Sequence, residues 1–239
     1  MNEPLEVLYE DAHCLAVSKP AGLLTQPAGP RTEASLEDAV RLHLSPAHPN
    51  AVYLGTVHRL DRPVSGVIVW AKTPKAARRL ARQFETRHAR KHYWALVEGD
   101  ACARIPSTGR WEDWLTPPDP LGVVRVVASE MPRARLAVTC YEVGPASALP
   151  EGTSWLRLWP ESGRTHQLRV QAAARGLPVI GDVLYGAVRP FPQGIALHAR
   201  ALRIGHPTLN TEMTWTAPVP ASWPEAGAAL PELAAFDRP

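Results

Sequence analysis

The sequence predicts an α+β fold built on a mixed, mainly antiparallel central sheet flanked by helices and loops. Three observations lead to this prediction. Runs with strand character outnumber the helical segments, the helices fall irregularly between them instead of alternating strictly, and no internal repeat is visible. With 239 residues and 45% hydrophobic content, the chain is long enough to bury a sizeable core as one large domain or two small ones.

The chain opens with two predicted strands and a helix. Residues 5–9 and 13–18 have strand character and precede a Pro-Gly loop. The segment TEASLEDAVRLHL then shows apolar residues near helical spacing, with Thr32 and Ser35 as candidate N-caps and an end before Pro46.

A buried strand and a basic helix follow. The run GVIVWAKT, bounded by Gly66 and Pro74, is nearly continuously apolar, which is typical of a central strand. Thr73 as N-cap and Pro74 as first helical residue predict a helix that extends to about His88. The face opposite its apolar stripe carries Arg78, Arg79 and Arg82.

The second half is rich in strands. Strands are predicted at residues 92–98, 123–128, 135–143, 154–159 and 198–204. A short helix lies before the last of them, with Thr165 as its cap and Gly176 as its stop. We expect one catalytic domain over residues 1–215 and a Pro-rich C-terminal tail over 216–239.

Composition argues against several classes of protein. No apolar stretch approaches the roughly 20 residues of a membrane span, and the start MNEPLEVLYE lacks the features of a secretion signal, so we expect a cytoplasmic protein. The three cysteines, Cys14, Cys102 and Cys140, are far apart and form no CxxC pair. They suggest neither a disulfide framework nor a zinc knuckle.

Positive charge is concentrated in two blocks. Between Val57 and Asp100 there are ten Lys or Arg residues against four acids, a local net charge of +6. Residues 157–203 add seven Arg against two acids. These blocks suggest a polyanionic partner, although a solvated basic face on an ordinary enzyme is an equally weighted alternative from charge alone.

Three motifs demand a joint explanation. They are AVSKPAGLL at 16–24, HRLDRPVSG at 58–66 and GRTHQLRVQAAARGLPVIGDVLYG at 163–186. Together with KHYWALVEG and LHARAL, they resemble the RluA family of RNA pseudouridine synthases over most of the chain. The resemblance implies the pseudouridine synthase fold. The chain departs from the family pattern HRLDxxTSG at Val64, which removes a turn hydroxyl but no candidate reactive group.

The resemblance also implies roles for individual residues. The family's catalytic Asp falls on Asp61, its base-stacking Tyr on Tyr93 and its motif arginine, the expected partner of Asp61, on Arg169. Arg59 matches the arginine before the nucleophile, and Leu197 would be the apolar floor of the pocket. Within the same motifs, substrate-binding roles are also expected for His58, Arg62 and Arg164.

The residue chemistry agrees with uridine isomerisation in structured RNA. Asp61 has an ordinary pKa near 3.9, and a nearby arginine would keep it ionised as a nucleophile or base. The reaction needs no redox partner and no group donor, so we expect no cofactor and no metal. The expected partner is an rRNA or tRNA stem-loop, bound by a monomeric, stand-alone catalytic domain without an S4-type RNA-binding domain and without an obligatory protein partner.

Other interpretations of the same residues are a zinc site, a phosphate-binding loop, a hydrolase and an inactive RNA-binding protein. His58, His166 and His198 match no zinc-binding spacing, and Lys19 with Gly22 lacks the pattern of a phosphate-binding loop. A nucleoside or glycoside hydrolase would normally need two working carboxylates, and apart from Asp61 the strong motifs offer only Asp182. A catalytically inactive RNA-binding protein of the same fold is the remaining alternative.

Overall fold

The computed structural model describes residues 5–27, 33–129, 131–144 and 149–223. The strands are β1 (Glu6–Glu10), β2 (Cys14–Lys19), β3 (Gly55–Thr56), β4 (Ser65–Ala71), β5 (Arg90–Glu98), β6 (Thr108–Leu115), β7 (Val126–Val127), β8 (Arg135–Val143), β9 (Thr153–Pro160), β10 (Leu197–Gly205) and β11 (Glu212–Thr216). The helices are α1 (Leu36–Leu44), α2 (Pro74–Glu85), α3 (Ala101–Arg104) and α4 (Gln167–Ala173). Within these described ranges no helix has the length and apolar character of a membrane span.

The first compact unit comprises residues 1–89 and 199–220. Its strands lie in the order β1–β2–β4–β10, with β3 paired to β4 and β11 paired to β10. The β1–β2, β2–β4, β3–β4 and β10–β11 pairs are antiparallel. Helices α1 and α2 belong to the same unit, which confirms the α+β prediction here.

Strand β4 lies between β2 and β10, and both of its faces are buried. Val67 and Val69 contribute to a cluster that includes Leu80 of α2. Ile68 and Trp70, which point to the opposite face, pack with Leu36 and Val40 of α1. Burial of each such side chain contributes about 1.5–3 kcal/mol. The continuous apolar run of GVIVWAKT is thus explained by a helix on each face of the strand.

The ends of the two helices follow local side-chain chemistry. Ser35 caps α1 in a capping box with Asp38, whereas the other candidate cap, Thr32, lies outside the described residues. Thr73 caps α2 as predicted. The helix nevertheless ends at Glu85 instead of near His88, because the Thr86 hydroxyl donates to the Arg82 carbonyl and the next residue is left-handed, with φ of 61°.

The second compact unit comprises residues 90–198 and 221–239. Its sheet has the order β5–β9–β8–β6–β7, and all of these pairs are antiparallel. Strand β6, which the sequence analysis missed, pairs with β8 along its whole length. The predicted strand 123–128 is reduced to the two residues of β7, because the chain before it closes on Asp119, whose carboxylate accepts from two backbone N–H groups.

Tryptophan side chains fill the core of the second unit. Trp155 packs against Trp94 and Trp223 at ring-centroid distances of 5.0 and 5.5 Å. Trp223 lies in the predicted C-terminal tail and is only 6% exposed, so this part of the tail is packed. Residues 224–239 lie outside the described residues, and the domain boundary at residue 215 stays a prediction.

Candidate active site

The loop that carries Asp61 connects β3 to β4 and is held on both sides of the carboxylate. On one side, the Thr25 hydroxyl donates to the Leu60 carbonyl at 2.8 Å and accepts from the Leu60 N–H. On the other side, the Val64 N–H donates to the Asp61 carbonyl at 3.0 Å and closes a turn. The side chain of Val64 is buried, so the turn at this departure from the family pattern is maintained by backbone and packing.

Lys19, at the end of β2, holds the same loop through hydrogen bonds from its side chain. Its side chain is completely buried, and its Nζ donates to the carbonyls of Pro20, Leu23 and Arg62 at 2.9, 2.7 and 3.0 Å. Burial lowers the pKa of Lys19 to about 7, although the nearby Asp61 carboxylate opposes this shift. Lys19 therefore links the AVSKPAGLL segment to the residue directly after Asp61.

Three other predicted site residues lie on the Asp61 loop. His58 stacks on Phe84 of α2 at 4.6 Å, and its Nε2 accepts from the Val69 N–H, so a neutral His58 carries its proton on Nδ1. Arg62 donates from Nε to the Gly22 carbonyl and pairs with Glu33 at 3.1 Å. Arg59 is exposed. His58 and Arg62 thus make contacts that support the loop itself.

Arg169 is buried on α4, where it forms a bidentate ion pair with Asp182. Its Nε and Nη2 donate to the two carboxylate oxygens of Asp182 at 2.6 and 2.8 Å. The side chains of Arg169 and Asp182 are only 6% and 1% exposed, and the guanidinium carbon lies 5.1 Å from the centroid of the Tyr185 ring. The geometry fixes the plane of the guanidinium group, as bidentate arginine pairs do.

The N-terminus of α4 differs from the prediction. Its N-cap is His166 instead of Thr165, it has no side-chain cap, and His166 is left-handed with φ of 53°. The Tyr185 hydroxyl accepts from the Val124 N–H at 3.0 Å and lies 2.8 Å from His166 Nδ1. Through these two contacts Tyr185 supports the strained residue directly before α4.

Arg164 and Gln167 attach this motif to β8. Arg164 donates from Nε to the Leu136 carbonyl at 3.1 Å, and its backbone N–H donates to Gln167 Oε1. Gln167 also donates to the Val138 carbonyl at 3.0 Å. The GRTHQLR segment is therefore tied to the neighbouring strand through side chains on either side of His166.

Tyr93 and Leu197 lie on strands of the second unit. Tyr93 is half-buried on β5, while the neighbouring Trp94 is buried on the opposite face. Leu197 begins β10 and is buried. Two residues before Tyr93, Lys91 donates to the Ser162 carbonyl at 3.0 Å, and burial lowers its pKa to about 8.

Comparison with known families agrees with these motifs. A family model described as RNA pseudouridylate synthase matches residues 13–174, which is more than half of the chain. The chain belongs to the RNA pseudouridine synthase family. The resemblance based on HRLD and GRTHQLR is thereby confirmed, and with it the synthase fold.

Curated relatives of this synthase cover most of its length. It is 34% identical to the ribosomal large subunit pseudouridine synthase D of Pseudomonas aeruginosa, over 90% of this chain and 68% of the relative. It is 36% identical to the dual-specificity RNA pseudouridine synthase RluA of Escherichia coli K12, over 90% of this chain and 93% of the relative. The solved structure of human RNA pseudouridylate synthase domain containing 1 is 28% identical, with a TM-score of 0.70 over 90% of this chain and 84% of that one.

The predicted site residues of the synthase divide between its two units. Asp61, Arg59, His58 and Arg62 share one loop of the first unit, whereas Tyr93, Arg164, Arg169 and Leu197 belong to the second. The structure adds three supporting residues that the sequence analysis did not assign, namely Lys19, Asp182 and Tyr185. The available signals were a single lysine at the end of a buried strand and an acid directly after the apolar run PVIG.

One group of potential metal ligands occurs among the described residues, formed by Asp11, Cys14 and His206. His206 Nδ1 accepts from the backbone of Thr208 and Leu209, so Nε2 carries the proton that it donates to Asp11 at 2.7 Å. Burial raises the pKa of the Cys14 thiol to about 12. The donor set therefore fits a hydrogen-bonded clamp better than a metal site.

Proposed function

We propose that this synthase converts a uridine of structured rRNA or tRNA to pseudouridine, with Asp61 as the nucleophile and without a cofactor. The observation that carries the proposal is the fixation of the Asp61 loop by Thr25 on one side and Lys19 on the other. A loop whose backbone is held in place before the substrate arrives does not need to be ordered during the reaction.

The isomerisation balances without a further reactant. The bond between N1 and C1′ breaks, the uracil turns, and a new bond joins C5 to C1′. The proton lost from C5 is matched by the proton gained at N1. A carboxylate is able to serve as nucleophile toward the sugar or the ring, and as a base toward the C5 proton.

The target base has to leave its stack, which costs a few kcal/mol. We propose that Tyr93 stacks on the extruded uracil, a contact of about 1–3 kcal/mol in proteins that bind single strands. Arg59 is exposed on the Asp61 loop and is the side chain that we propose to occupy or brace the vacated space. The catalytic role of Arg169, the pocket-floor role of Leu197 and a substrate contact from Arg164 follow from the family pattern.

We propose that His58 and Arg62 hold the Asp61 loop, in place of the substrate-binding roles that the family pattern implies. Their contacts with Val69, Phe84 and Gly22 support a loop-holding role. Loss of either side chain would then act through the position of Asp61 and not through a lost contact with RNA.

The decisive experiment combines the purified protein with transcripts of large-subunit rRNA and tRNA labelled with tritium at uridine C5. Release of tritium to water, with pseudouridine recovered from the digested RNA, supports the proposal. Asp61→Asn keeps the shape of the side chain but removes the nucleophile, so turnover should fall below detection while RNA affinity stays within a few fold.

The rival functions give different products. A hydrolase would release free uracil, and an inactive RNA-binding protein would bind the transcripts without releasing tritium. Substantial turnover by Asp61→Asn would remove Asp61 from the proposed role. Mapping of pseudouridine in cells with and without the protein then identifies the modified RNA and position.

A further inference from the structure

We propose that the exposed basic face of helix α2 binds the phosphate backbone of the substrate RNA, an inference that rests on the proposed function. This α2 basic face consists of Lys75, Arg78 and Arg82, all of them exposed, and continues into Arg87 after the helix. Glu85 is the one acid of the helix. The surface therefore presents a row of positive charge along one side of α2.

The charges of the α2 basic face have no ion-pair partner among the residues that the structure describes. In the described part of the chain, Lys75, Arg78, Arg82 and Arg87 form no ion pair, whereas other surface arginines do. Arg41 pairs with Glu37 and Arg125 pairs with Asp119, at 2.8 Å each. A set of adjacent unpaired cations raises the local potential and is the expected feature of a surface for a polyanion.

Arg79 has to be separated from this set. It lies on the same side of the helix, but its Nη1 donates to the Pro207 carbonyl at 2.7 Å. It therefore ties α2 to the segment that follows β10. Substitution of Arg79 would disturb the fold, so it is unsuitable for testing an RNA contact.

Helix α2 is rigidly attached, and its C-terminal end lies beside the Asp61 loop. Gln83 exchanges two hydrogen bonds with Gly205, at 2.9 and 2.7 Å. Phe84 stacks on His58, which precedes Asp61 by three residues. Three residues span at most about 11 Å. Asp61 therefore lies near the C-terminal end of α2.

The dimensions of the helix suit a short stretch of RNA backbone. Twelve residues of α-helix extend about 18 Å, which is long enough to contact several phosphates of one RNA strand. A membrane surface fits less well, because membrane-bound amphipathic helices bury their apolar side in lipid. Ala76 and Leu80 of α2 are already buried in the protein core, and Ala77 and Phe84 pack against it.

The test measures how affinity for a short stem-loop RNA depends on salt. Each lost phosphate contact should flatten the slope of log K against log salt by about 0.7–0.9. Arg78→Glu with Arg82→Glu should weaken binding at least about tenfold at low salt and flatten the slope by about 1.4–1.8. The milder pair Arg78→Gln with Arg82→Gln should act in the same direction, with an unchanged melting temperature.

A matched control separates a local contact from a general charge effect. Arg133→Glu with Arg135→Glu makes the same change in net charge at two exposed arginines of the second unit. This control should keep the wild-type slope. Equal slopes for wild type and the α2 variants, or equal flattening in the control, would overturn the inference. So would unchanged RNA affinity combined with lost binding of polyglutamate, which would assign the face to an acidic protein.

Failure of this inference can be distinguished from failure of the proposed function. The salt slope is measured as binding, and it does not require turnover. If the wild type releases no tritium from uridine while the slopes still differ, the α2 surface stands and the catalytic proposal fails. If the wild type turns over and the slopes coincide, only the α2 surface is rejected.

Discussion

The pair of Arg169 and Asp182 shows that a charged motif residue can be buried in an ion pair instead of exposed to solvent. From the sequence, an arginine on a short helix would usually be a solvated charge. In the structure both partners are almost inaccessible to solvent and joined by two hydrogen bonds. A buried pair of this kind adds little net stability, but removal of one partner leaves a buried charge uncompensated.

Asp182→Asn should therefore lower the free energy of unfolding by about 3–5 kcal/mol, because the buried guanidinium of Arg169 loses the charge of the carboxylate to which it donates two hydrogen bonds. Urea titration of wild type and variant measures the effect. Arg169→Met should cost a similar amount, whereas the double variant should recover part of the loss.

The exposed pair of Arg125 and Asp119 provides the matched control for this prediction. Arg125→Met should cost no more than about 1 kcal/mol, as is typical of surface ion pairs. An Asp182→Asn variant as stable as Arg125→Met would show that the Arg169 site tolerates the loss of the Asp182 charge. Because Arg169→Met is expected to lose stability, its turnover has to be compared with wild type under conditions in which both proteins are folded.

At the scale of structural elements, the sequence predicts best where one local pattern determines the outcome. Strand β4 begins one residue before the predicted run and helix α2 begins as predicted, because a continuous apolar run and a Thr-Pro start are local signals. Strand β6 was missed because TGRWEDWL mixes Trp with charged residues, and its strand state depends on pairing with β8. The N-cap of α4 was assigned to the wrong residue, since His166 is held by Tyr185, nineteen positions away.

The Asp61 loop is another element whose support is not local, and Lys19 makes it sensitive to pH. A protonated Lys19 has one N–H for each of its three carbonyl partners, whereas a neutral amine has only two. As pH rises above about 7, we expect the loop to lose one bond and turnover at saturating RNA to fall. Lys19→Met should be less active throughout and lack this decline.

The effect of Lys19 on stability should have the opposite sign. Between pH 7 and 10.5, the unfolded chain retains a proton on Lys19 that the folded chain has lost. The contribution of Lys19 to folding stability therefore rises with pH over this window. The free energy of unfolding of wild type minus that of Lys19→Met, measured by urea titration from pH 6 to 10, should show this rise. Parallel pH profiles of both turnover and stability in the two proteins would contradict the prediction.

At the scale of the whole molecule, the motifs indicate candidate site residues, but only the fold shows which contacts hold these residues in place. Lys19 and Arg62 are 43 positions apart, and Asp11 and His206 are 195 positions apart. Neither contact has a periodicity or a local signature, because each depends on strands that pair across long stretches of chain. The sequence could therefore indicate family and candidate site residues, but not the clamps that position them.

The clamp between Asp11 and His206 predicts how the first unit responds to acid. Burial alone would raise the pKa of Asp11, but hydrogen bonds from the Cys14 and His13 backbone and from His206 outweigh it and lower the pKa to about 2. The stability from Asp11 is thus complete above the unfolded pKa near 3.8 and is lost as pH falls toward 2. The shift in pKa corresponds to a stability contribution of about 2 kcal/mol.

Asp11→Asn should be less stable than wild type at pH 6, and the difference in free energy of unfolding should shrink between pH 4 and pH 2. Glu85→Gln, which removes an exposed carboxylate, should follow the wild-type curve. A constant difference between Asp11→Asn and wild type over this range would mean that the ionised clamp does not stabilise the fold.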